Sequence, residues 1–146
     1  MGRQFGTDEV YEVGREKIRE FATAVGATDP AHHDEAAAQA LGYQGLVAPP
    51  TFPIILTMGA ELRLMADPDL GLDFTKVVHR EQRFVHHRPV VAGDRLSTTV
   101  VVDAIRVVAG NDLVTTRTEV HAEDGSPVVT AYSTVVARGT AAENEE

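Results

Sequence analysis

Hydrophobic and polar positions follow a helical period through the first half of the chain and alternate through the second. In residues 14–25, Ile18, Phe21, Ala22 and Val25 recur at i, i+3, i+4 and i+7. That spacing predicts one apolar helical stripe, with Arg15, Glu16, Lys17, Arg19 and Glu20 left to solvent. Gly26 stands where a left-handed residue ends such a helix. Asp34 is placed to cap a second helix over 35–41, which Gly42 ends. Pro49 and Pro50 impose an extended approach, and Thr51 and Pro53 suit the first turn of a third helix running to about Met65. Its sequence, I-I-L-T-M-G-A-E-L-R-L-M over 54–65, is apolar on nearly every face. A helix of that kind belongs inside a protein. It is too short, and too interrupted by Glu61 and Arg63, to span a membrane. Asp67, Pro68 and Asp69 form its stop signal.

Residues 1–7 read as a loose arm and 8–13 as a short strand. Beyond residue 76 the pattern is that of strands. Residues 76–87 alternate, with Val78, Arg80, Gln82 and Phe84 on one face and Val77, His79, Glu81, Arg83 and Val85 on the other. Pro89, Gly93 and Asp94 mark a turn. Residues 96–108 and 113–122 are Thr- and Val-rich strands joined by the hairpin turn A-G-N-D at 109–112, and 128–138 is the last strand after E-D-G-S at 123–126. Residues 139–146 read as a frayed acidic tail. Helices segregated before a run of antiparallel strands indicate an α+β chain, a sheet wrapped around the apolar third helix. No internal repeat or long linker divides residues 1–146, so one domain is expected. The free sheet edge invites pairing with a second copy.

The formal net charge of −9 over 146 residues argues against a nucleic-acid surface. Cysteine is absent, which removes disulfides and thiolate metal sites. The first residues hold no signal-peptide-like apolar run, and Gly2 lacks a hydroxyl residue at position six, where Gly6 stands. A soluble cytoplasmic protein that binds neither nucleic acid nor membrane is the expectation.

Candidate chemistry concentrates in Asp29, His32, His33 and Asp34. Histidine gains or loses a proton near neutral pH, and a neighbouring carboxylate can orient it or complement it. Backbone N–H groups at the head of the third helix, over 48–51, are placed to polarise a thioester carbonyl. A base for water and donors for an enolate-like oxygen are what hydration of an α,β-double bond requires. The competing and commoner use of such aspartates is capping and turn formation, with the histidines solvated. The adjacent pairs His32–His33 and His86–His87 match no metal-ligand spacing, so no metal and no cofactor are expected. Ser97, Ser126 and Ser133 do not lie in a nucleophile elbow. Lys76, Arg80, Arg83 and Arg88 form either a basic patch for a carrier or coenzyme phosphate or a solvated sheet face.

Four segments carry a family resemblance: Y-E-V-G-R-E-K-I-R-E-F-A at 11–22, D-P-A-H-H-D at 29–34, G-L-V-A-P-P-T-F at 45–52 and R-P-V-V-A-G-D-R-L at 88–96. They resemble the MaoC-like hydratase/dehydratase family over roughly residues 8–138. The likeness is nearest to its N-terminal-type single-hot-dog branch, which includes the substrate-binding subunit of actinobacterial (3R)-hydroxyacyl-carrier-protein dehydratase. The resemblance implies a hot-dog fold, a homodimer or a heterodimer with a second MaoC-like chain, and acyl-coenzyme A or acyl-carrier-protein thioesters lying along the central helix. It also implies a catalytic pattern of Asp, then Asn-Pro, an apolar residue and His. Carried over, the proline is Pro30, the histidine His32 and the Asn position Asp29, while the catalytic Asp position holds Ala27. His32 and Asp29 are thus the catalytic candidates, and Ala48, Pro49, Thr51 and Phe52 the substrate-binding ones. Three readings follow: a (3R)-hydroxyacyl thioester dehydratase or enoyl hydratase of fatty-acid metabolism, a non-catalytic acyl-chain-binding and stabilising subunit, and, ranked last, a thioesterase using Glu61.

Overall fold

The computed structural model describes residues 4–6, 9–66 and 76–138, so the stop signal at 67–69 and the tail at 139–146 lie outside the described residues. Helix α1 spans Arg15–Val25 and ends at Gly26, whose φ of 73° is the left-handed cap read from the sequence. A 3-10 turn follows at Pro30–His32, then α2 at Glu35–Ala40 and α3 at Ile54–Met65. Asp34 caps α2 by accepting a hydrogen bond from the Ala36 amide.

The long strands are β3 at Val77–His86, β4 at Arg95–Val108, β5 at Asn111–Ala122 and β6 at Pro127–Ala137. Two short strands precede them. Strand β2 is Tyr11–Glu12, and β1, Gln4–Gly6, lies in the stretch expected to be a loose arm; both pair antiparallel with β4. The sheet order is β1-β4-β5-β6-β3, so β3 sits at the far edge beside β6. Residues 87–94 therefore carry the chain across the sheet instead of forming a hairpin between β3 and β4. The turn signals at Pro89 and Gly93 are correct, but turn chemistry does not say which strand becomes the neighbour.

Alternation along β3 fails at one point. The register shifts between His79 and Glu81, a bulge that inserts an extra residue. Val77 packs on the core, and His79 joins Gln82 and Phe84 in lining one cleft. Strict alternation had set Val77 and His79 on the face opposite Gln82.

One side of α3 fills the curl of the sheet. Leu56, Thr57, Ala60, Glu61, Leu64 and Met65 are buried, whereas Met58 and Leu62 remain 42% and 52% exposed. In this single chain the helix is covered on one face and not all round, as its composition suggests. Phe52, fully buried at its head, meets the edge of Phe21 from α1 at 5.5 Å between ring centres. Among the described residues no helix is long and apolar enough to cross a membrane.

Glu61 is the exception among the α3 residues that face the sheet. It is 5% exposed, and Thr116 donates to its Oε1 at 3.0 Å. Ser133 makes a second bond to it, and His79 Nε2 lies 3.2 Å from Ser133 Oγ. Burial, the largest influence, pushes the Glu61 carboxyl above its ordinary 4.5; the Thr116 and Ser133 bonds and the His79 charge pull the other way.

Two predictions follow from the fold. The β4–β5 hairpin closes through Ala109 and Gly110, with φ of 54° and 79°. An L-residue in the left-handed region costs about 1 kcal/mol, part of which glycine returns through unfolded-state freedom. Ala109→Gly should therefore raise stability by roughly 0.5 kcal/mol, read as a higher urea midpoint with unchanged slope. For Glu61, the folded pKa is raised, so its favourable contribution is complete below pH 4.5 and declines as pH rises through the folded value. Glu61→Gln should melt higher than wild type at pH 8, with the gap closing toward pH 4.5.

Candidate functional site

The site begins with the turn at Pro30–His32. Asp29 precedes it and its carboxylate accepts a hydrogen bond from the Ala31 amide at 3.0 Å, the capping role that competes with a catalytic one. The turn is docked through Val47. The Val47 amide donates to Ala31 O at 3.0 Å, and Val47 O receives the His32 ring through Nδ1 at 2.6 Å. A carbonyl can only accept, so Nδ1 carries the proton and the neutral ring keeps its Nε2 lone pair free. His33 does different work: its Nε2 donates to Ala27 O at 2.8 Å, and Arg19 Nε donates to His33 O, tying the loop to itself and to α1.

Val47 also bridges to Val91, flanked by the bonds Ala48 N to Val90 O and Ala92 N to Leu46 O. Two loops, 46–48 and 90–92, are stitched in this way. The second is pinned by Asp94, whose carboxylate accepts from Arg88 Nη1 and Nη2 at 2.9 and 3.2 Å and from the Val91 amide at 2.9 Å. That paired geometry explains the R-P-V-V-A-G-D segment as a clamp and gives Arg88 a partner.

Between these loops lies a cleft of about 630 Å³ lined by Asp29, His32, Ala48 and Pro50 on one side and His86, His87, Arg88 and Val90 on the other. His86 Nε2 donates to Pro50 O at 2.7 Å, closing one end, and His87 Nε2 lies 3.0 Å from Thr130 Oγ1. The structure thus brings together Asp29, His32 and Ala48 of the sequence-derived candidates. Pro49 is buried beside the cleft without lining it. Phe52 is a core residue with no exposed surface in this single chain. Thr51 faces a different cleft. His86, His87 and Arg88 join from the end of β3; the adjacent histidines were visible in the sequence, but nothing in their spacing linked them to His32. Among the described residues no group of three His, Asp or Glu side chains stands close enough to hold a metal.

The backbone donors expected over 48–51 are mostly consumed. The Ala48 amide is bonded to Val90 O, Pro49 and Pro50 have none, and Phe52, Ile54, Ile55 and Leu56 close turn bonds onto carbonyls three residues back. Within 48–56 only the Thr51 amide makes no such bond.

The second cleft, about 500 Å³, opens between α1, α3 and β3 and is lined by Phe21, Val25, Thr51, Ile54, Met58, His79, Gln82 and Phe84. Its walls are apolar except at Thr51, His79 and Gln82, and the last two abut the row that leads to Glu61.

With this geometry in hand, the relatives are informative. The family model described as FAS1-like, dehydratase domain region matches residues 1–131. A UPF0336 protein of Saccharopolyspora erythraea is 53% identical over 145 residues, covering 99% of this chain and 93% of that protein. A chain of the C-terminally truncated HadBC (3R-hydroxyacyl-ACP dehydratase) complex of Mycobacterium tuberculosis is 39% identical, with a TM-score of 0.85 over 92% of this chain and 95% of that one. A MaoC-like dehydratase of known structure is also 39% identical, with a TM-score of 0.89; the match covers 96% of this chain and 42% of that larger one. The curled antiparallel sheet around α3 is the hot-dog fold of these proteins, and the chain belongs to the FAS1-like dehydratase-region family, within the MaoC-like hydratases and dehydratases.

Proposed function

We propose that this chain serves the interconversion of (3R)-3-hydroxyacyl and 2-enoyl thioesters in fatty-acid metabolism, as the subunit that holds the acyl thioester beside a second hot-dog chain. One observation carries the subunit role: the polar turn and the head of α3 hold an imidazole but lack the rest of the machinery. Dehydration removes a proton from the carbon next to the thioester and returns one to the departing hydroxyl, while donors stabilise the enolate-like oxygen. Here the loop position that would supply a carboxylate is Ala27, whose carbonyl is bonded to His33. Of the donors over 48–51 that would meet the thioester oxygen, the Ala48 amide is consumed by Val90 O and two are replaced by proline; the Thr51 amide remains, on a residue that lines the other cleft. The 39% identity to a chain of a heteromeric dehydratase supports the pairing. The exposed Met58, Leu62, Val78 and Val85 on α3 and edge strand β3 offer the partner an apolar surface.

A second reading, autonomous hydration, has His32 in its favour. Its ring is fixed by Val47 O with Nε2 available as a base, and Asp29 lines the same cleft as the acid/base complement. The substrate would be an acyl group on coenzyme A or a carrier protein, with the thioester end near His32 and Ala48.

The discriminating measurement is hydration of crotonyl-coenzyme A and a longer 2-enoyl-coenzyme A between pH 6 and 9. The subunit reading expects negligible turnover by this chain alone, and turnover once a MaoC-like chain carrying the full Asp and His loop is added. In the mixture, His32→Ala should then reduce the rate less than tenfold, because the partner supplies the proton-transfer groups. Turnover by the chain alone that disappears in His32→Ala would overturn the subunit role and establish autonomous catalysis.

A further inference from the structure

The cleft between α1, α3 and β3 backs onto polar groups that the dehydration chemistry does not use. Thr57 Oγ1, Thr118 Oγ1 and both ends of the Gln82 amide are buried and make no hydrogen bond among the described residues. Thr57 and Thr118 are wholly buried. Unpaired buried groups of this kind are costly, and native proteins keep few of them. These four atoms are not scattered. Thr57 precedes Glu61 by one turn on the face of α3 that meets the sheet. Gln82 is registered opposite Ser133, Ser133 opposite Thr116, and Thr118 lies two positions along β5 from Thr116. They border the row formed by Glu61, Thr116, Ser133 and His79, and His79 and Gln82 are themselves walls of the cleft.

The polarity of that row is determined. His79 Nε2 also contacts Glu81 O at 3.0 Å, so it carries a proton and can only donate toward Ser133 Oγ at 3.2 Å. Ser133 is left to donate to Glu61, which accepts from Thr116 as well. Gln82 beside them offers a donor nitrogen, with two N–H groups, and an acceptor oxygen, both atoms unused. An apolar cleft ending on an unpaired donor and acceptor matches an apolar chain ending in a hydroxyl, which supplies one of each. A carboxylate at that place would meet Glu61. A plain alkyl end would leave Gln82 unpaired.

We propose that the cleft bounded by Phe21, Ile54, Met58 and Phe84 is a seat for acyl chains that bear a hydroxyl remote from the thioester, recognised by Gln82 and the Ser133–Glu61 row. This deepens the acyl-holding reading above and rests on it.

The test is calorimetric titration of the full chain with dodecanoyl-coenzyme A and decanoyl-coenzyme A, each with its ω-hydroxy and ω-carboxy counterpart, so that the polar end is offered at two depths. The ω-hydroxy chain at one or both lengths should bind about fivefold more tightly than its plain counterpart, and the ω-carboxy chain more weakly than either. Gln82→Leu should erase the hydroxyl preference, chiefly by tightening the plain chain. Ser133→Ala, a smaller change, should also lower the preference and serves if Gln82→Leu does not fold. Plain chains binding as tightly as hydroxylated ones at both lengths would overturn the hydroxyl seat and leave the acyl-holding reading intact. Preference unchanged in both variants would also overturn it. Failure of every acyl chain to bind would overturn the acyl-holding reading and the seat together.

Discussion

The packing of α3 into the curl of the sheet is the constraint on which everything else depends. Leu56 belongs to one half of the core, with Leu96, Val120, Val128 and Val129. Ala60, Leu64 and Met65 belong to the other half, with Val100, Val102, Val114 and Val135. Burying side chains of this size contributes roughly 1.5–3 kcal/mol each. Because α3 is held along its length, its entry segment has little freedom. Phe52 is locked against Phe21, and residues 46–48 are stitched to 90–92. The His32 turn hangs from Val47 by two hydrogen bonds, so the geometry of the cleft is inherited from the core by way of a few backbone contacts.

Much of this was legible from periodicity. The stripe of Ile18, Phe21 and Ala22, the Gly26 and Asp34 caps and the turn before β5 are local signals with local causes, and the structure places them as read; Val25, at the end of the stripe, is instead 52% exposed. The bulge at His79 was not legible, because an extra residue in an edge strand leaves no mark when both faces carry mixed side chains. The crossing of 87–94 over the sheet was not legible either, since a turn signal reports a change of direction and not its destination.

The candidate site divides along the same line. His32 and Asp29 were identifiable from residue type, and the structure puts both on one cleft. Their partners were not identifiable, because they are largely main-chain atoms: Val47 O for His32, the Ala31 amide for Asp29, Pro50 O for His86. Carbonyls carry no signature of residue type. The loss of donors at the head of α3 was half legible. Prolines at 49 and 50 announce two missing amides, but only the fold shows Val90 O occupying the Ala48 amide. The surroundings of Phe52 were hidden for a related reason: an aromatic beside a polar loop does not announce the ring it packs on, here Phe21.

The two clefts share a wall, and that wall restricts how a long substrate can lie. Pro50 borders the His32 cleft and Thr51 the α1–α3–β3 cleft; likewise His86 borders the first and Phe84 the second. The bond from His86 to Pro50 O closes the wall between them. Under the proposed function, a thioester with its reacting end at His32 and its tail among Phe21, Ile54 and Met58 would have to pass this contact, either over its exposed side or by displacing it. Both residues are exposed, so the contact is the weak point of the wall and the buried stitching around Val47 is not. Passage over the top would leave the tail against the uncovered face of α3, where Met58 and Leu62 face solvent in the single chain. A second hot-dog chain covering that face would convert an open groove into an enclosed one. Under the proposed function the acyl tail and the partner chain would meet on one surface, so that holding a long acyl group and pairing with a second chain would become parts of the same requirement.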